Sequence, residues 1–149
     1  MQKSVLVVCF LITLTGCTWV TGRMEDCPYT PNCVSSKMQN PIHGIDPIPF
    51  RGSPESAMSR IEKVILSMPR TEIVEKEPGY IRAIYISLVF RFRDDVECMV
   101  DPEKSVIHIR SSSRLGISDL GANSRRVKEI KRLFDGGLEA DKKQGEESK

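Results

Sequence analysis

The stretch Tyr80-Ile-Arg-Ala-Ile-Tyr-Ile-Ser87, followed by Val96-Glu-Cys-Met-Val100 and Ser105-Val-Ile-His-Ile109, decides the fold. These are short runs rich in β-branched and aromatic residues, set apart by the turn formers Pro78-Gly79 and Asp101-Pro102-Glu103-Lys104. Ile73-Val74 before them and Leu88 to Arg93 between them read as further β segments. The connections are too short for a crossover, so the strands pair as antiparallel hairpins. Phe90, Phe92, Val96, Cys98 and Val100 are expected on one buried face, with a bulge or bend near Asp94-Asp95 keeping the alternation in phase.

Outward from the sheet, the period changes. In Ser53-Pro54-Glu55, Ser53 can cap free backbone amides and Pro54 sits where its missing N–H has no consequence, so a helix starts there. Met58, Ile61, Ile65 and Met68 follow at helical spacing until Pro69 stops the run. A second amphipathic helix begins near Asn123, with Val127, Ile130 and Phe134 on its apolar stripe and Arg125, Lys128 and Arg132 away from it. The expected fold is α+β: a small antiparallel sheet of three to four strands, flanked by an N-terminal and a C-terminal helix that cover one sheet face. Residues 18–52, with Pro28, Pro31, Pro41, Pro47 and Pro49, read as extended and irregular. Residues 135–149 read as a polar, disordered tail.

The N-terminus carries an address. Lys3 precedes an apolar run from Val5 to Leu14, laid out as a signal peptide and too short for a permanent span. Leu14-Thr15-Gly16-Cys17 resembles the lipobox of bacterial lipoproteins, in which the cysteine becomes the acylated N-terminus. That implies a signal peptide over 1–16, a lipidated tether over 17–26 with diacylglycerol and palmitate on Cys17, a single domain over 27–134, and the tail. One acyl chain holds a protein only marginally, and several hold it firmly. By the same resemblance, Thr18 stands where inner-membrane retention commonly uses Asp, which implies, for a cell with two membranes, an outer-membrane location facing the periplasm. Without Lys3 the mature chain has 21 Lys and Arg against 20 Asp and Glu, and this near neutrality argues against a nucleic-acid partner.

Cys27, Cys33 and Cys98 remain in the exported domain, where an oxidising compartment favours a disulfide. Cys27-Pro-Tyr-Thr-Pro-Asn-Cys33 brackets a stiff segment that a bridge would close into a small ring; joining Cys98 to either cysteine is the rival connectivity. Thiols with His43 or His108 follow no recognised metal spacing, so neither a metal nor a cofactor is expected.

Three motifs occur in order: Cys27-Pro-Tyr-Thr-Pro-Asn-Cys33-Val-Ser-Ser, Phe90-Arg-Phe-Arg-Asp94-Asp95-Val-Glu, and Arg110-Ser-Ser-Ser-Arg114-Leu-Gly116-Ile-Ser-Asp119-Leu-Gly121-Ala-Asn123-Ser-Arg-Arg126. By these the chain resembles the uncharacterised domain of unknown function 1499 family from about Cys27 to Phe134. The family brings no settled activity. Its pattern has an apolar residue at the position of Cys98, which implies a Cys27–Cys33 bridge and a buried free thiol at Cys98.

The segment from Arg110 to Arg132 holds seven basic residues against Asp119 and Glu129. Arg110, Ser112, Arg114, Asp119, Asn123 and Arg126 are the candidate ligand-binding residues. Hydroxyls, backbone amides freed by Gly116 and Gly121, and a helix N-terminus could cradle a carboxylate, a phosphate or an acidic headgroup. The competing reading ties Arg110 and Arg114 to Asp94, Asp95 and Asp119 as a structural network. Ser111 to Ser113, Cys33 and the histidines carry no nucleophile signature, and Asp94 and Asp95 point to opposite faces of a strand. The reading therefore leans away from an enzyme. It favours a membrane-anchored accessory or binding protein of the cell envelope, taking an anionic small molecule, headgroup or envelope protein through residues 110–132. An envelope hydrolase or transferase and a purely structural docking module are the alternatives.

Overall fold

A computed structural model describes residues 24–147, with side chains through residue 137. The expected signal peptide, Cys17 and the expected tether up to residue 23 lie outside the described residues. The elements are β1 (Cys33–Ser35), β2 (Ile48–Pro49), α1 (Pro54–Ser67), β3 (Thr71–Glu77), β4 (Tyr80–Ile86), β5 (Arg93–Asp101), β6 (Val106–Ser113) and α2 (Ala122–Glu147). The fold is α+β, with one antiparallel sheet and two helices.

The sheet has six strands in the order β1-β6-β5-β4-β3, with β2 also on β6, so the expected three to four is an undercount. The two extra strands come from the proline-rich stretch. β1 lies opposite Arg110 to Ser112, and β2 opposite Val106 and Ile107, so together they form one edge strand interrupted by residues 36–47. Pro49 is tolerated because an edge leaves its missing N–H outside the ladder. Neither piece has a sequence pattern of its own; partnership with β6 makes them strands.

Leu88 to Arg93 is a second correction. Only Arg93 joins the ladder, and the rest is the tip between β4 and β5. Ser87 closes that tip, its backbone N–H donating to Phe92 O at 2.9 Å and its Oγ accepting from Phe92 N at 2.8 Å, while Arg91 adopts a φ of 54°. Phe90 and Phe92 are exposed instead of sharing a face with Val96, Cys98 and Val100. No bulge is needed at Asp94-Asp95, since β5 keeps register with both neighbours. Asp94 stays on the buried face because a cation from α2 meets it there.

Ser53 caps α1 by accepting from Ser56 N at 3.2 Å, and Met68 ends the helix just before Pro69. The helix buries Ala57, Met58, Ile61, Val64 and Ile65 against Ile81, Ala83, Val96, Cys98 and Val100 of the sheet. Val127, Ile130 and Phe134 of α2 join the same core, alongside Ile107 and Ile109. A fully buried aliphatic side chain contributes about 1.5 to 3 kcal/mol, so this cluster is the main support of the fold. The backbone of α2 is described through Glu147, past Asp135 where the sequence reading begins the tail. No described helix is long and apolar enough to cross a membrane.

A groove and a polar cleft on opposite faces of the sheet

The six candidate residues fall into two groups. Alternation along β6 sends Ser111 toward α2 and Arg110 and Ser112 to the face that no helix covers. On that open face the ladder registers Glu75 with Arg82, Arg82 with Glu97, and Glu97 with Arg110, a row of alternating charge across four strands. Arg110 Nη1 donates to Glu97 Oε2 at 2.6 Å, and Tyr80 OH donates to Glu97 Oε1 at 2.7 Å. Burial and the neighbouring Glu97 carboxylate raise the Tyr80 phenol above its ordinary range. Arg114 makes a two-pronged contact with Asp95 at 2.6 and 2.8 Å, which holds the Asp95 carboxyl below the usual carboxylate range. These residues line a cleft of about 420 Å³ in which every arginine already meets a carboxylate.

Asn123 and Arg126 lie on the other face. Asn123 is fully buried: its Oδ1 accepts from Ser111 Oγ at 2.6 Å, and its Nδ2 donates to Asn32 O at 2.8 Å and Ser113 Oγ at 3.1 Å. It rivets α2 to the sheet and to the chain beside Cys33. Asp119 turns its carboxylate onto the start of α2, where Oδ1 accepts from Gly121 N at 2.9 Å and Oδ2 from Asn123 N at 2.6 Å. The positive end of this helix is thus met by the protein's own anion. Arg126 Nη2 donates to Asp94 Oδ2 at 2.6 Å, and its guanidinium lies 4.2 Å from the Tyr85 ring centroid.

Arg126 and Asp94 form the base of a groove of about 630 Å³ between the 88–92 tip and the 114–121 loop. Met68, Tyr85, Leu88, Phe90, Leu115 and Leu120 give its walls an apolar character. The side chains of Arg126 and Asp94 are only 6% and 5% exposed, yet Arg126 Nε and Asp94 Oδ1 have no hydrogen-bond partner. Both atoms are buried beneath the surface of the recess, and since unmet buried polar groups each cost about 1 to 3 kcal/mol, a ligand that displaces the side chains covering them would recover part of that cost. Of the residues here, Arg126 and Asp119 are candidates already legible in the sequence. The sequence reading missed Tyr85 and the groove walls, although Leu115, Ile117 and Leu120 stand out as apolar residues in a loop of Gly and Ser.

The cysteines divide as the family resemblance implies: Cys27 and Cys33 form a disulfide, and Cys98 is free and buried. Burial pushes the Cys98 thiol up to about 12, which leaves it without thiolate at neutral pH. His43 Nδ1 donates to Cys33 O at 2.9 Å, a structural use of that ring. His108 links Ser36 Oγ, 3.2 Å from its Nδ1, to Asp101, 3.6 Å from its Nε2. Ser36 Oγ also accepts from Ile109 N at 2.9 Å. The set pins residues 36–47 to the sheet, and the separation of Ser36 from His108 in the chain hid it from the sequence reading. Burial and Lys37 lower the His108 pKa. Among the described residues, no group of three or more His, Cys, Asp or Glu is placed to hold a metal.

An antiparallel sheet with two helices on one face, a small disulfide ring enclosing two prolines and a Ser-Arg-Gly-Asn segment leading into the last helix define the class. The chain belongs to the family described as "Protein of unknown function (DUF1499)", which it matches over residues 23–134. Comparison with curated proteins gives no match.

Proposed function

We propose that this chain is an exported lipoprotein, anchored through Cys17 in the cell envelope, whose domain binds a ligand without catalysis. Within the basic segment, the candidates Arg110, Arg114 and Arg126 are poor receptors for an anion, since each has a carboxylate partner. The groove is the better receptor. One observation carries this reading: beneath the floor of an apolar recess the buried Asp94–Arg126 pair keeps an acceptor and a donor without partners, which a ligand that parts the floor would meet. A ligand with an apolar body and an end that both donates and accepts a hydrogen bond, such as a carboxamide or hydroxyl, complements that base.

The test is thermal unfolding of a form beginning at Thr18, with amphiphiles of one chain length ending in amide, hydroxyl or carboxylate. Ligand at a hundredfold its Kd stabilises by about 2.7 kcal/mol, a shift of several degrees. The amide or hydroxyl compound should give that shift, and Phe90→Asp on the groove wall should remove it. A shift with the carboxylate alone would restore the anionic reading, and no shift with any of the three would end the groove's claim.

A further inference from the structure

Two loops at one end of the sheet expose apolar side chains that nothing in the fold uses. The 88–92 tip presents Leu88, Val89 and Phe90, and the 114–121 loop presents Leu115, Ile117 and Leu120, with exposures from 68% to 86%. Phe90 and Phe92 stack at 5.4 Å between ring centroids, so the aromatic pair is already formed at the surface. Arg91 and Leu120 hold left-handed φ values of 54° and 50°, a conformation that side-chain-bearing residues adopt at a cost. These residues project from loop ends and do not lie on a flat helix or sheet face.

The charges around them have one sign left over. Asp94, Asp95 and Asp119 are engaged by Arg126, Arg114 and the amides of α2. Arg91 and Arg93 are exposed and have no ion pair among the described residues. Projecting Leu, Ile and Phe flanked by free arginines match an anionic lipid surface, where the rings and aliphatic chains enter the interface and the guanidinium groups meet phosphate.

We propose that the 88–92 and 115–120 loops form a second membrane contact, inserting into the headgroup layer of a bilayer containing anionic lipid. This rests on the reading of Cys17 as a lipid anchor, which would keep the loops near such a surface. It also turns the groove between them toward the bilayer, so that its amphiphile would be drawn from lipid.

The experiment uses the full chain, purified from membranes and reconstituted in vesicles of zwitterionic lipid with or without one-third anionic lipid. An environment-sensitive fluorophore is placed by Phe90→Cys or Ile117→Cys, with Glu103→Cys on the far β5–β6 turn as control. Labels at 90 and 117 should shift to the blue and be quenched by brominated acyl chains, severalfold more than at 103 and more strongly with anionic lipid. A chain that floats with the vesicles while positions 90 and 117 are quenched no more than 103 overturns loop insertion and leaves the anchor standing. A chain that does not float overturns both. A blue shift without vesicles that grows with protein concentration assigns the patch to a second copy of the chain and overturns the bilayer contact.

Discussion

Asp94 and Asp95 are neighbours on β5, and each is held by an arginine at 2.6 Å, yet the two pairs occupy different environments. Asp94 faces α2 and the apolar groove, where it and Arg126 are almost wholly withdrawn from water. Asp95 faces the open side, where Arg114 keeps 42% of its side-chain surface exposed and Arg82 shares the carboxylate at 3.4 Å. The same bond length therefore stands for two different energies. In the first pair, loss of one partner strands a buried charge; in the second, water and salt stand ready to replace it.

The most damaging break of this contrast is Arg126→Ala. It leaves Asp94 buried without a cation and removes a donor from Ser111 Oγ and Asn123 Oδ1. A loss of about 3 to 5 kcal/mol is expected by urea unfolding. A loss below about 1 kcal/mol would mean that water reaches the groove base and that the two pairs are equivalent.

Arg114→Ala sharpens the contrast from the other side, with an expected loss of about 0.2 to 1 kcal/mol because solvent screens the exposed pair. Its signature is in pH. Asp95 has a folded pKa held below its unfolded value, so its pair stabilises the protein above the ordinary carboxylate pKa of about 3.9 and loses that effect as pH falls further. Unfolding of wild type and Arg114→Ala measured between pH 7 and 3 should therefore converge toward the acid end. Curves that stay parallel would show that Arg114 acts through packing.

Phe90→Ser is the smallest expected effect, within about 0.5 kcal/mol, because a ring 74% exposed gives the fold little. A near-zero change by thermal unfolding, beside the large loss for Arg126→Ala, would separate the groove's wall from its base. A loss above about 1 kcal/mol would instead make the 88–92 tip part of the folding core.

How far the sequence is legible varies with the range of the contacts. The helix from Ser53 is local in origin, with its cap, its Pro54 and its apolar stripe all within the helix or next to it. The Val127, Ile130, Phe134 stripe of α2 and the hairpin turns at Pro78-Gly79 and Asp101 to Lys104 are legible for the same reason. Leu88 to Arg93 misleads because β-branched and aromatic content describes a surface that packs well, not a backbone that must extend. The site was half legible: Arg126 and Asn123 stand out by residue type, but strand alternation divides the basic segment between two faces and places a carboxylate of β5 beside each of three arginines.

The sequence by itself determined the α+β class, the two helices with the start of α2 near Asn123, and the antiparallel hairpins, because these rest on periodicity and turn chemistry within a few residues. Only the tertiary structure decided that proline-rich fragments complete the edge of β6, that Asp94 needs no bulge, and that two apolar loops flank a groove. Those features depend on partners distant in the chain, such as Arg126 for Asp94 at a separation of 32 and Ser113 for Asn32 at 81, and no local pattern encodes such a meeting.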